Sequence, residues 1–192
     1  MNFKSVIKDT FILVAVAVVL VFALSSAKVV TQSAIDKVAK EEQLKSYNEV
    51  CPGYAVGEDI TSDVVGASAG YNASLRGEDA VKRCKDANGE IIGYIVECTS
   101  KGYGGPLNLI VGFDKEGKIT GIRYANIPQE TPGLGMKSTD RSILDRFIGH
   151  NQSDVSEVDT ISGATITSDA FMQAVLLASM FANRSVTMDG GM

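Results

Sequence analysis

The stretch Thr10–Ala27, TFILVAVAVVLVFALSSA, carries no charge between Asp9 and Lys28. As a helix, at about 1.5 Å per residue, it covers about 27 Å, close to the ~30 Å hydrocarbon core of a bilayer. Such a run must lie in a membrane, be removed, or be buried in a core. Ser25-Ser26-Ala27 is a tolerable cleavage site, but the apolar core of a secretory signal is about 7–15 residues, and this one is longer. The Gly-Phe and following Glu that mark a pilin-like assembly helix are absent. A position so near the N-terminus argues against a core helix. The run therefore reads as a retained single-pass anchor. Lys4 and Lys8 precede it, which favours a cytoplasmic N-terminus and an extracytoplasmic globular part.

Beyond the anchor, Lys28 to Asn48 reads as a helical stem. Val30, Ala34, Ile35, Val38 and Ala39 recur at helical spacing, and Asp36, Lys37, Lys40, Glu41 and Glu42 form the wet side. Cys51-Pro52-Gly53 ends it, because proline removes a donor and glycine tolerates unusual dihedrals. Ser62 to Ser74 is small and polar, a loop or irregular edge. A β region follows. Val81–Asp86 and Glu90–Thr99 form a hairpin with a two-residue turn at Asn88-Gly89. Leu107–Asp114 and Ile119–Asn126 form a second pair. Ser138–Ile148 reads as a short helix, Ser168–Asn183 as a longer one, and Met188–Met192 as a frayed tail. Strands followed by helices predict an α+β domain with an antiparallel sheet and packed helices. The organisation is an anchor over 1–27, a stem over 28–50 and a domain over 51–192.

Composition narrows the function classes. A hydrophobic content of 45% sustains a packed core, and a net charge of −5 without any Lys/Arg-rich run argues against nucleic acid. The single histidine, His150, has no ligand-type partners spaced nearby and reads as a loop residue. The three cysteines, Cys51, Cys84 and Cys98, have no C-x-x-C spacing. In the hairpin register Cys84 faces Gly93 rather than Cys98, so the cysteines read as buried small hydrophobes.

The segment with chemistry in it is Asp159-Thr160-Ile161-Ser162-Gly163-Ala164-Thr165-Ile166-Thr167, just ahead of the last helix. A helix start leaves its first N–H groups unpaired and carries partial positive charge. Small residues there let a phosphate approach the backbone. The threonine hydroxyls allow a phosphate to be held or joined. The competing reading is that Thr167-Ser168-Asp169 only caps the helix.

Asp159–Thr167 resembles the D-x-x-S/T-G-A-T-x-T signature of the covalent-FMN subunits of bacterial respiratory complexes. These are the G subunit of the Rnf complex and the related C subunit of the sodium-pumping NADH:quinone reductase. Gly102-Tyr103-Gly104-Gly105-Pro106 and Glu130-Thr131-Pro132-Gly133-Leu134-Gly135 resemble two further turns of that family, in the family's order. The resemblance implies an FMN-binding domain whose FMN is attached through its phosphate to Thr167 by a flavin transferase. Asp159, Ser162, Gly163, Ala164 and Thr165 then complete the phosphate turn. Glu130, Thr131, Gly133, Leu134, Gly135, Gly104 and Gly105 belong to loops beside the flavin. It also implies an electron relay with no substrate site of its own, working with other subunits of a bacterial inner-membrane, ion-translocating ferredoxin:NAD oxidoreductase. The shortness of the chain between stem and motif favours the Rnf subunit over its quinone-reductase relative. A membrane-anchored module in which S-G-A-T-I-T is only a cap is the non-redox alternative.

Overall fold

The structure, a computed structural model, describes residues 13–18, 21, 38, 40–65, 73–159 and 163–190. The chain divides into two compact units, Met1–Gln43 and Leu44–Met192. In the first, residues 13–18, 21, 38 and 40–43 are helical. The rest of the expected anchor and most of the expected stem lie outside the described residues.

The second unit opens with helix α1, residues 44–50, which ends ahead of Cys51-Pro52-Gly53 as the sequence predicts. Six strands then form one antiparallel sheet. They are β1 (Val56–Asp59), β2 (Ala73–Leu75), β3 (Val81–Lys85), β4 (Ile91–Lys101), β5 (Pro106–Asp114) and β6 (Ile119–Tyr124). Their order is β1-β3-β4-β5-β6, and β2 pairs with the far half of β4. The long β4 thus serves β3 along its first half and β2 along its second. A short helix α2 (Thr61–Val64) lies between β1 and β2. The region read as a loop or irregular edge, Ser62–Ser74, therefore contains the end of α2 and the start of β2, with residues 66–72 outside the described set.

Both predicted hairpins form, and both use the same turn. Asp86 and Asp114 each accept the N–H of the glycine three residues on, Gly89 and Gly117, at 3.0 and 3.1 Å. Each aspartate carboxylate also takes two backbone N–H groups of its own loop, Asn88 and Glu90 in one, Glu116 and Lys118 in the other. The glycines stand at φ +85° and +79°, a region that disfavours a Cβ. The expected two-residue Asn88-Gly89 turn is therefore a longer loop in which aspartate, not asparagine, sets the geometry. The register still places Cys84 opposite Gly93.

Alternation in the strands sorts two cores. Tyr94, Val96 and Cys98 of β4, with Leu107, Leu109, Val111 and Phe113 of β5, face one side. Against them packs the long helix α4 (Thr165–Gly190), which buries Phe171, Ala174, Val175, Ala178, Phe181 and Ala182 at helical spacing. Each fully buried large side chain among these contributes about 1.5–3 kcal/mol. Ile95 and Ile110 face the other side, against Tyr47, Val50 and Cys51 of the α1 end. There Glu97 is buried. It accepts hydrogen bonds from the Tyr47 hydroxyl and, at 2.9 Å, from Arg76.

The predicted helix over Ser138–Ile148 is broken into a 3-10 turn Gly135–Thr139, a single turn α3 (Arg141–Leu144) and a second 3-10 turn Asp145–Phe147. The cause is local. Ser138 and Thr139 donate their hydroxyls back to the carbonyls of Gly135 and Met136, at 2.7 and 2.8 Å, and Asp140 is extended. Such side-chain bonds compete with the helical ladder. The C-terminal helix, in turn, runs well beyond Asn183, and Asp189 is not frayed. Its carboxylate takes Arg83 Nε at 2.8 Å and the Tyr94 hydroxyl at 2.6 Å, pinning the end of α4 to the sheet. His150 lies beside Asp154 at 3.1 Å while its carbonyl accepts the Ile119 N–H.

All three cysteines are buried and free. The neighbouring Cys51 and burial push the Cys84 thiol up, and burial pushes Cys98 up to about 12. A thiol reagent should label none of them rapidly in the native protein and all three after denaturation.

Arg83 and Tyr94 hold the Asp189 carboxyl below the usual carboxylate range. With a depressed folded-state value, its contribution is present above the unfolded value of about 3.9 and lost as pH falls through the lower folded one. Asp189→Asn should lower stability by about 1–3 kcal/mol at neutral pH in urea unfolding. The gap from the native chain should close at strongly acid pH.

Candidate functional site

Helix α4 begins at Thr165, and its first ladder bond runs from Ser168 N–H to the Ala164 carbonyl at 2.8 Å. The N–H groups of Thr165, Ile166 and Thr167 precede that bond and have no carbonyl of their own helix to meet. Gly163, at φ +87°, turns the chain into the helix. Thr167 lies inside the first turn rather than ahead of it, and it does not cap the helix. Its hydroxyl instead donates to Glu130 Oε2 at 2.7 Å, and Thr167 is only 2% exposed.

Glu130 is itself buried, 7% exposed. Its other oxygen, Oε1, accepts the backbone N–H of Gly104 at 3.1 Å. One carboxylate therefore ties together Gly102–Pro106, Glu130–Gly135 and the start of α4, which lie far apart in sequence. The approach is close enough to exclude side chains. A Cβ on Gly104 would stand 1.5 Å from the Gln129 carbonyl oxygen, and one on Gly135 would stand 2.6 Å from Glu130 Oε2.

Beside this junction opens a cavity of about 420 Å³ lined by Tyr103, Thr131, Leu134, Gly135 and residues 163–167. Its volume falls in the range of small-molecule and cofactor sites, about 300–1,000 Å³. Polar groups concentrate at the helix start, while Tyr103, Leu134 and Ile166 expose apolar surface at the cavity, 68%, 46% and 56% exposed. That division suits a ligand with an anionic end and a flat apolar end.

The structure thus brings together Thr131, Leu134, Gly135, Gly163, Ala164, Thr165 and Thr167 as cavity walls, with Glu130 and Gly104 behind Thr167. Gly133 stands at φ +77° in the Glu130–Gly135 loop and contributes no wall. Gly105 lines a different cavity, of about 660 Å³, between the β2–β4 edge and the Gly102–Pro106 turn. Asp159 is exposed and outside the wall, with its carbonyl near Arg146 at 3.5 Å. Ser162 lies outside the described residues. Tyr103 and Ile166 are the walls that sequence reasoning did not single out, although each lies within a motif it quoted. The link from Glu130 to Thr167 had no signal in the sequence, since 37 positions separate the partners.

Comparison with known proteins bears on this arrangement directly. Residues 102–179 match the FMN-binding domain family. The segment includes Gly102–Pro106, Glu130–Gly135 and the start of α4. The chain is 32% identical over 168 residues to the G subunit of an ion-translocating oxidoreductase complex from Photorhabdus laumondii, covering 79% of this chain and 78% of that one. The chain belongs to the G subunit family of ion-translocating oxidoreductase complexes. Across this family it is also similar to the G subunit of the Na(+)-translocating ferredoxin:NAD(+) oxidoreductase complex of Acetobacterium woodii, at 28% identity over 91% of this chain and 90% of the relative. The crystal structure of Shewanella oneidensis NqrC superposes with a TM-score of 0.47 at 20% identity over 74% of each chain.

The FMN-binding domain of this G subunit family member accordingly contains the Glu130 junction and the whole cavity wall. Gly104→Ala should push the 102–106 turn off Gln129 and cost about 1–3 kcal/mol of stability, read as a lower urea midpoint. Gly105→Ala, whose Cβ would meet only the Gln129 Cβ at 4.0 Å, should cost far less.

Proposed function

We propose that this chain is the FMN-carrying electron-transfer subunit of a membrane-bound, ion-translocating ferredoxin:NAD oxidoreductase of the Rnf type, with FMN joined through its phosphate to Thr167. One observation carries the reading: Thr167 lies in the wall of a cavity at a helix start, with its hydroxyl held by a carboxylate rather than spent on capping. A phosphate at Thr167 would meet the N–H groups of the first turn of α4 and its partial positive charge. The apolar surfaces of Tyr103, Leu134 and Ile166 suit the isoalloxazine ring. When bound, FMN supplies the redox chemistry. The chain supplies attachment, orientation and a site dry on one side, and it relays electrons without a substrate site of its own. Attachment at the phosphate end leaves the ring free to meet electron partners.

The names of the relatives, ion-translocating and ferredoxin:NAD(+) oxidoreductase complexes, support a place among other subunits of such an assembly. In this reading Thr10–Ala27 anchors the chain in the bacterial inner membrane with Lys4 and Lys8 on the cytoplasmic side. The stem over 28–50 spaces the domain over 51–192 from the bilayer, and a flavin transferase loads the cofactor outside.

Intact-mass spectrometry of the native chain should show the increment of one flavin phosphate. A denaturing gel should show flavin fluorescence, and Thr167→Ala should abolish both. Native material without that increment would refute the covalent linkage, and a Thr167→Ala chain still fluorescent would move it to another hydroxyl, Thr165 first.

A further inference from the structure

We infer that Glu130 is the general base that activates Thr167 for its own modification. The inference rests on the phosphoester reading above. A threonine hydroxyl is a weak nucleophile at neutral pH and is made effective by a base within about 2.6–3.2 Å. Glu130 Oε2 is 2.7 Å from Thr167 Oγ1 and is the acceptor of its proton. The carboxylate is held in one orientation. Its second oxygen is occupied by the Gly104 N–H, and Gly135 leaves no space beside it for a Cβ. Burial keeps water from competing for the same oxygen, and Thr167 is one of the residues walling the cavity from which a phosphorus centre would approach.

The step balances with one co-reactant. A flavin monophosphate has no good leaving group on phosphorus, so the donor class is a flavin dinucleotide, whose diphosphate has one. Thr167 Oγ1 forms a bond to the flavin-side phosphorus and passes its proton to Glu130 Oε2. The P–O bond of the diphosphate breaks, and the nucleoside monophosphate departs with the electron pair. No atom is oxidised or reduced. The flavin transferase brings the donor, and this chain contributes the base. The sequence order is consistent with such a division: Glu130 opens the Glu130–Gly135 loop that walls the cavity, and Thr167 closes the motif at the other side.

The test uses the full-length chain in detergent with a flavin transferase and flavin adenine dinucleotide, following flavin incorporation by intact mass. Glu130→Gln retains an amide that can still reach Thr167 and Gly104 but accepts no proton. It should keep the native melting temperature and incorporate flavin about a hundredfold or more slowly. Incorporation at the native rate would overturn the inference and leave the phosphoester reading intact. A native chain that gains no mass would overturn both. Should Glu130→Gln unfold, Glu130→Ala in added formate decides. A rate that climbs with formate supports a missing base, a role that mere structural support would not produce, and a rate indifferent to formate overturns it.

Discussion

The buried carboxylate of Glu130 is the constraint on which the site depends. A carboxylate taken out of water is costly unless its oxygens are met by donors. Here one oxygen meets a backbone N–H of Gly104 and the other the hydroxyl of Thr167. The protein can bury this charge only when the Gly102–Pro106 turn and the start of α4 both arrive. The same requirement that stabilises the junction therefore fixes where the Thr167 hydroxyl stands. It also explains the glycines: Gly104 and Gly135 are small because the backbone must approach the carboxylate and its neighbours too closely for any Cβ.

The sheet and α4 make that precision possible. β4 and β5 form the longest ladder among the described strands and carry the 102–106 turn at one end. α4 lies on the same sheet through Phe171, Ala174, Ala178 and Ala182, the alanines allowing a close approach. Cys98 on β4 reaches the Ala174 carbonyl at 3.3 Å, and Asp189 locks the far end of the helix to β3 and β4. The helix is thus held at both ends, by Thr167 on Glu130 and by Asp189 on Arg83 and Tyr94. Its N-terminus has little freedom to drift from the cavity.

Much of this was legible in the sequence, and the exceptions have physical causes. The two hairpins were visible because alternating strands end in turn residues, and the D-x-x-G loops around Asp86 and Asp114 confirm that local chemistry sets them. β1 carries no strand signal, because VGED has a glycine, two acids and no buried alternation. Ser138–Ile148 looked helical by its apolar spacing, but Ser138 and Thr139 spend their hydroxyls on the backbone and divide it. The walls of the cavity all fall within the three motifs Gly102–Pro106, Glu130–Gly135 and Asp159–Thr167. What the motifs could not show is how they meet. A hydrogen bond between Glu130 and Thr167 depends on the whole sheet-and-helix scaffold, and no periodicity or local propensity encodes it.

Under the proposed linkage, two tasks share one threonine on that scaffold. As a free hydroxyl, Thr167 completes the solvation of a buried carboxylate; as an ester it could no longer donate to that oxygen. The proposed loading would therefore change the bond that joins α4 to the Glu130–Gly135 loop. An ionised Glu130 next to a phosphoester would face two negative centres without the hydroxyl proton between them, at a cost that burial magnifies. A Glu130 that has taken that proton faces the ester oxygen as a donor instead. On the proposed step the proton released by Thr167 would reside on Glu130, so the buried position of Glu130 would suit both states of the site.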